Sequence, residues 1–223
     1  MSVCLMLHGL GPPPAHIPEE EKPYWISEAM FAEIVSLARD TEVHITIDDG
    51  NATDIEIALP ALLTAGIKAS FFIPSDRIGT PHYVSEDGIR MLRKAGMEIG
   101  SHGCAHVRWT EVPDEAIAAD VIRSTERLSS IIGEPVRKVA IPFGACDRRI
   151  LRVLHALGIT QVYTSFSGHC MPNGWIVRRN CIKSGMTLAD IETTITKKDS
   201  LACTALTFLR TWRHAGRAAL WNA

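Results

Sequence analysis

The chain has 223 residues, 46% of them hydrophobic and 22% charged, with a formal net charge of -2. That length supports one globular domain with a sizeable core over residues 1–223, and the balanced charge excludes a general nucleic-acid binder, which carries a clear basic excess. Six cysteines are scattered without a C-x-x-C pair; this speaks against a zinc ribbon and a disulfide scaffold and fits a reducing cytoplasm.

The chain opens with Val3 to Leu7, a short apolar run that reads as a buried strand ending at His8. It is too short and too poor in basic residues for a secretory leader. No run of about 18 apolar residues exists, so no spanning helix is expected. A Pro-rich loop covers 9–24. Ser27 caps a helix to Arg39. Val43 to Ile47 is the second strand, and Asp54 to Ala65 a helix stopped by Gly66. Ile67 to Ile73 is the third strand. A helix capped by Ser85 and closed by Gly96 leads to a fourth strand, Met97 to Ile99. Asp114 to Ile132 is a long helix ending at Gly133, followed by strand Val136 to Ile141. Asp147 to Leu157 is helical up to Gly158, then Ile159 to Thr164 and Trp175 to Val177 are strands. Helices near 187–196 and 201–220 finish the chain.

Strand and helix alternate, which predicts a parallel sheet of about seven strands with helices outside, doubly wound or closed as a barrel. No G-x-G-x-x-G follows the first strand, so a dinucleotide site has no support. Either architecture puts chemistry at the C-terminal strand ends. There the sequence sets His8, Asp48-Asp49-Gly50, Ser101-His102-Gly103-Cys104-Ala105-His106 and Pro142-Phe143-Gly144.

After a strand, the adjacent carboxylates of Asp48 and Asp49 point to different sides and can do different jobs. Taken alone, Asp-Asp-Gly-Asn reads first as a turn. His102 and His106, four apart, share a face if that segment is a helical turn, though isolated pairs of this kind are mostly surface histidines. Cys104 would face away from both. One carboxylate and two imidazoles, with positions left open, suit a catalytic metal.

TIDDG (46–50), SHGCAH (101–106) and IPFG (141–144), in this order and spacing, resemble the polysaccharide deacetylases, the NodB-homology or carbohydrate esterase family 4. The resemblance covers roughly residues 2–182. It implies a distorted (β/α) barrel that removes N-acetyl groups from sugars. It further implies a divalent ion, usually zinc, on Asp49, His102 and His106, with Asp48 as general base. The Phe143 N–H would serve the oxyanion, and Pro142, Phe143 and Gly144 would wall the groove. The family's general-acid histidine follows L-x near the C-terminus; here that pattern occurs only as Met6-Leu7-His8, which resembles the circularly permuted members and makes His8 the acid. The family's usual arginine two residues before the loop proline is replaced by Ala140, and Arg179, with Arg178 second, is the candidate substitute. Trp175 and Trp25 are candidates for pocket walls or for core.

The expected activity is metal-dependent removal of an N-acetyl group from an amino sugar in an oligosaccharide, polysaccharide or lipid-linked saccharide. Rival readings are an amidase or deformylase acting on another N-acylated molecule, and a catalytically impaired carbohydrate binder. The segment 199–222 sets Leu201, Phe208 and Trp212 on one helical face and Arg210, Arg213 and Arg217 on another, a pattern for a helix packed on the barrel or lying against a membrane.

Overall fold

The computed structural model describes residues 2–171 and 174–196. The helix expected over 199–222, with its membrane contact, lies outside the described residues. Among the described residues no helix is long and apolar enough to cross a membrane.

The central sheet runs through β1 (Ser2–Leu7), β4 (Val43–Asp48), β5 (Ala69–Ile73), β6 (Glu98–Ser101), β7 (Lys138–Ala140), β8 (Gln161–Tyr163), β10 (Ile176–Val177) and β11 (Asn180–Cys181). Its order is β10-β8-β7-β6-β5-β4-β1-β11, and every neighbouring pair is parallel. The sheet edges, β10 and β11, are joined by Arg178 and Arg179 alone, so the sheet curls almost into a closed barrel. Two additions break the simple alternation. β9 (His169–Cys170) lies antiparallel to β1, and β2 (Gly9–Leu10) pairs with β3 (Trp25–Ile26) as a separate parallel ribbon. Segments two residues long carry too little periodicity to be read from sequence.

Helices α1 (Glu28–Arg39), α3 (Glu86–Lys94) and α5 (Arg148–Ala156) start where Ser27, Ser85 and Asp147 accept the backbone N–H three residues on. α4 (Asp114–Ile132) stops at Gly133, which adopts the left-handed conformation that a side chain would resist. α2 (Leu59–Ala65) is entered through a π-helical turn, Asp54–Ala58, in place of the continuous helix expected over 54–65. α6 (Leu188–Thr196) packs on α1.

Alternation along the strands divides the core. Leu5, Leu7, Ile45, Ile47, Phe71 and Ile73 point outward under the helices, in the larger hydrophobic cluster. Their neighbours Cys4 and Phe72 point inward and meet Ala140, Tyr163 and Val177 in a small inner cluster. The inward rows continue up β1 to Met6 and His8 and up β4 to Thr46 and Asp48. Because Leu7 pairs with Ile47, His8 arrives level with Asp48.

Candidate active site

Asp48 ends β4 inside the barrel, 1% exposed. Arg179, equally buried, meets it from the β10–β11 link: Nη1 donates to Oδ1 at 2.7 Å and Nη2 to Oδ2 at 2.8 Å. Arg179 is itself oriented by bonds from Nε to the Thr164 carbonyl (3.1 Å) and from Nη1 to the Thr46 hydroxyl (3.2 Å). Burial alone pushes the Asp48 carboxyl up, but the Arg179 guanidinium, helped by His102, holds it below the usual carboxylate value. Arg178 turns instead to the Ser167 and His169 carbonyls. Of the two candidate arginines, Arg179 is therefore the one on Asp48.

The next residue departs from strand geometry. Asp49 has φ 79°, a left-handed conformation that costs energy in a side-chain-bearing residue. The chain reverses there, so the two carboxylates do not diverge as alternation predicts. His102 Nε2 lies 3.9 Å from Asp48 Oδ2 and 3.8 Å from Asp49 Oδ1. His106 Nε2 lies 3.4 Å from Asp49 Oδ1. His102 and His106 do not sit on a helical turn. They occupy an irregular loop after β6, in which His106 also has positive φ, 53°. The left-handed residues bring the rings to 4.8 Å between centroids. Cys104 faces away, its thiol donating to the Asp120 carbonyl at 3.2 Å.

This donor set fits a divalent cation. One ligand atom each from Asp49, His102 and His106 lies within 4.8 Å of the others. The Asp49 Oδ1 is buried and, beyond an ion pair with Arg77 Nη1 at 3.5 Å, has no hydrogen-bond partner among the described residues. His102 Nδ1 sits 2.9 Å from the Ala140 carbonyl, so it carries the proton and Nε2 presents a lone pair. Burial, with His102 beside it, pushes the His106 imidazole down to about 3, so it rests neutral, as a ligand must.

His8 flanks the same cavity, of about 300 Å3. Its Nδ1 is shielded from water and has no partner among the described residues, and its ring packs 5.0 Å from Tyr24. Burial lowers its pKa, against the pull of Asp49 and Asp48. Phe143, 47% exposed with φ 58°, stands over His106 at 4.4 Å. Among the described residues, Asp49, His106 and Phe143 are three of the four non-glycine residues with positive φ, all at one site.

Trp25, Phe143 and Gly144 line the cavity as expected. A Cβ at Gly9 would lie 2.1 Å from the Trp25 ring, so glycine after His8 is what lets Trp25 pack there. Two expected wall residues do not line it. Pro142 is buried at the start of the loop turn. Trp175 precedes β10, where Nε1 donates to the Ile159 carbonyl at 2.7 Å; it packs half-buried against the core rather than in the cavity wall. Sequence reading missed Glu21, Tyr24, Arg108 and Lys183 in the cavity wall, since turns, irregular chain and the single 3-10 turn Lys22–Tyr24 deliver them. It also missed Asp54, wholly buried in the π-helical turn and pushed well above the carboxylate range by burial and by Asp49.

A family profile described as polysaccharide deacetylase matches residues 38–162. YxkH of Bacillus subtilis (strain 168), named as a polysaccharide deacetylase, is 23% identical over 126 residues. That match takes in 56% of this chain and 45% of the relative, so the chain spans about half of that protein. Among solved structures, the Streptococcus pyogenes deacetylase PplD in complex with acetate superposes with a TM-score of 0.75 at 16% identity, over 87% of this chain and 97% of that one. BC0361, a polysaccharide deacetylase from Bacillus cereus, gives 0.78 at 18% identity, over 87% and 69%. IcaB from Ammonifex degensii gives 0.71 at 20% identity, over 87% and 96%. At such identities the structural likeness speaks for the fold.

Proposed function

The chain belongs to the polysaccharide deacetylase family, and from that premise we propose that it hydrolyses the N-acetyl group of an amino sugar in an oligosaccharide, polysaccharide or lipid-linked saccharide. One observation carries the reading. A three-ligand cation site, Asp49, His102 and His106, lies beside a carboxylate clamped by a buried arginine at the floor of one cavity. A structural metal usually has four protein ligands; three leave room for a reacting group. Two imidazoles and a carboxylate suit zinc.

Asp49, His102 and His106 would hold a divalent cation, which would supply Lewis acidity to the acyl group and to water. Asp48, kept ionised by Arg179, accepts the proton of the attacking water. The Phe143 backbone N–H meets the negative charge that develops on the acyl oxygen. His8 then delivers a proton to the departing nitrogen, which would otherwise leave as an amide anion. Burial lowers the His8 pKa against the pull of Asp49 and Asp48, so the proton that His8 gives to the nitrogen is the one Asp48 takes from water and passes on. The products are a free amino sugar and acetate; PplD, the S. pyogenes structural neighbour, was solved with acetate bound.

β1 lies between β4 and β11, which supports Met6-Leu7-His8 as the acid-bearing strand moved to the front of a permuted chain. The arginine on Asp48 argues against an impaired binder, which would need no clamped base. The free thiols of Cys4, Cys104, Cys146, Cys170 and Cys181 favour a cytoplasmic setting and an intracellular saccharide. The test is to incubate the protein with N-acetylglucosamine oligomers and zinc, then quantify acetate and free amine. Equimolar release of both is expected. Saccharide binding without release of either would turn the reading to the binder.

A further inference from the structure

Two similar stacks rise from the site. In one, the His106 ring meets Phe143 at 4.4 Å, and the Arg108 guanidinium lies 4.7 Å over the Phe143 ring. In the other, the His8 ring meets Tyr24 at 5.0 Å, and the Lys183 ammonium lies 4.7 Å over the Tyr24 ring. Each runs from a site histidine through an aromatic ring to a cation, and all six side chains line the same cavity.

Few negative charges answer these cations. Arg108 pairs with Glu111 at 3.2 Å, but the Glu111 side chain is 70% exposed, where an ion pair is weak. Among the described residues the contact of the Lys183 ammonium is with the Tyr24 ring rather than with a carboxylate. Within the cavity wall Asp48 is matched by Arg179, and Asp49 belongs to the cation site. Only Glu21 remains, and the charges it senses are Asp49, Arg77 and Glu20. A cation laid on an aromatic ring is partly ordered before any ligand arrives, which lowers the entropy cost of binding an anion. A neutral sugar could accept hydrogen bonds from both but would leave their charges unanswered. The volume, about 300 Å3, is at the small end for a ligand pocket and suits one sugar unit with its substituents.

We infer that Lys183 and Arg108 select a substrate whose N-acylated sugar unit carries an anionic group, a phosphate or a carboxylate. The inference rests on the deacylase reading and narrows its substrate class. The experiment compares kcat/KM of the zinc-loaded protein on N-acetylglucosamine, its 1-phosphate, its 6-phosphate and N-acetylmuramic acid. The two phosphates and the carboxylate separate the sources of charge. At least one anionic sugar should exceed the neutral one by about tenfold or more, the worth of one charged hydrogen bond. In the Arg108→Met, Lys183→Met double variant that ratio should fall towards one, while Lys183→Arg should keep it. A neutral sugar used as well as all three anionic ones overturns the inference and leaves the deacylase reading standing. A preference that survives the double variant overturns the assignment to these two residues. No acetate from any of the four overturns the inference, while the oligomer assay decides the deacylase reading.

Discussion

Arg179 closes on Asp48 with two hydrogen bonds, 2.7 and 2.8 Å long, across 131 residues of sequence. Both side chains are fully buried, so each is the other's charge balance. Arg179→Lys keeps the charge and loses the two-pronged geometry. Turnover should fall by roughly a hundredfold or more, the scale of a disturbed general base. Cation content should stay near that of the parent. Arg179→Met strands a buried carboxylate and should cost about 3–5 kcal/mol of stability. Urea unfolding beside a metal assay separates the two effects, and parental turnover in Arg179→Lys would remove the role assigned here.

The cation site should fail differently. His106→Ala or Asp49→Asn should weaken cation binding by more than about a hundredfold, beyond what loss of a supporting contact costs. Asp48→Asn should leave the cation in place while turnover collapses. Metal analysis after dialysis distinguishes these outcomes. Cation content that drops alike in all three variants would mean that Asp48 is a ligand.

Acid should undermine the cation-free protein through His106. Its imidazole is lowered from 6.5 to about 3 in the folded chain. Below pH 6.5 the unfolded chain takes up a proton that the folded chain refuses. Stability is therefore full above that pH and is lost as pH falls towards 3, by about 1.4 kcal/mol per pH unit for this group. Urea midpoints at pH 7, 6, 5 and 4 should show the slope, and His106→Asn should reduce it by that amount. Equal slopes in both proteins would show that His106 titrates normally.

Gly9→Ala tests the wall beside His8. The new Cβ would meet the Trp25 ring at 2.1–2.5 Å, so ring or strand must move. Overpacking of this kind costs about 1–3 kcal/mol. Melting temperature should fall and KM should rise as Trp25 leaves its place. Unchanged values for both would mean that Trp25 does not shape the cavity.

Much of this site was legible because alternating elements announce strand ends, and strand ends are where parallel sheets keep their chemistry. His8, Asp48, His102 and Phe143 were all found that way. What stayed hidden depends on backbone reversal or on loops. Asp-Asp-Gly-Asn read as a turn, but that reading did not tell that Asp49 would be the left-handed residue and bring both carboxylates to one place. The histidine loop looked like a helical turn because four-residue spacing fits one, yet positive φ at His106 achieves the same meeting. Arg179 stood ahead of Arg178 only as a candidate, and the geometry of the β10–β11 link is what sends it inward. Trp175 misled because an aromatic residue near a short strand does not reveal which end of the barrel it occupies. Tyr24, Arg108 and Lys183 had no pattern, since one reaches the cavity from a single 3-10 turn and the others from irregular chain.

The most direct measurement is a cation titration of turnover. The metal-stripped protein is loaded stepwise with zinc, and acetate release from N-acetylglucosamine oligomers is followed beside bound metal. Release should rise in proportion to occupancy, level off at one ion per chain, and vanish with chelator. Full turnover in protein verified to be free of metal would contradict the account.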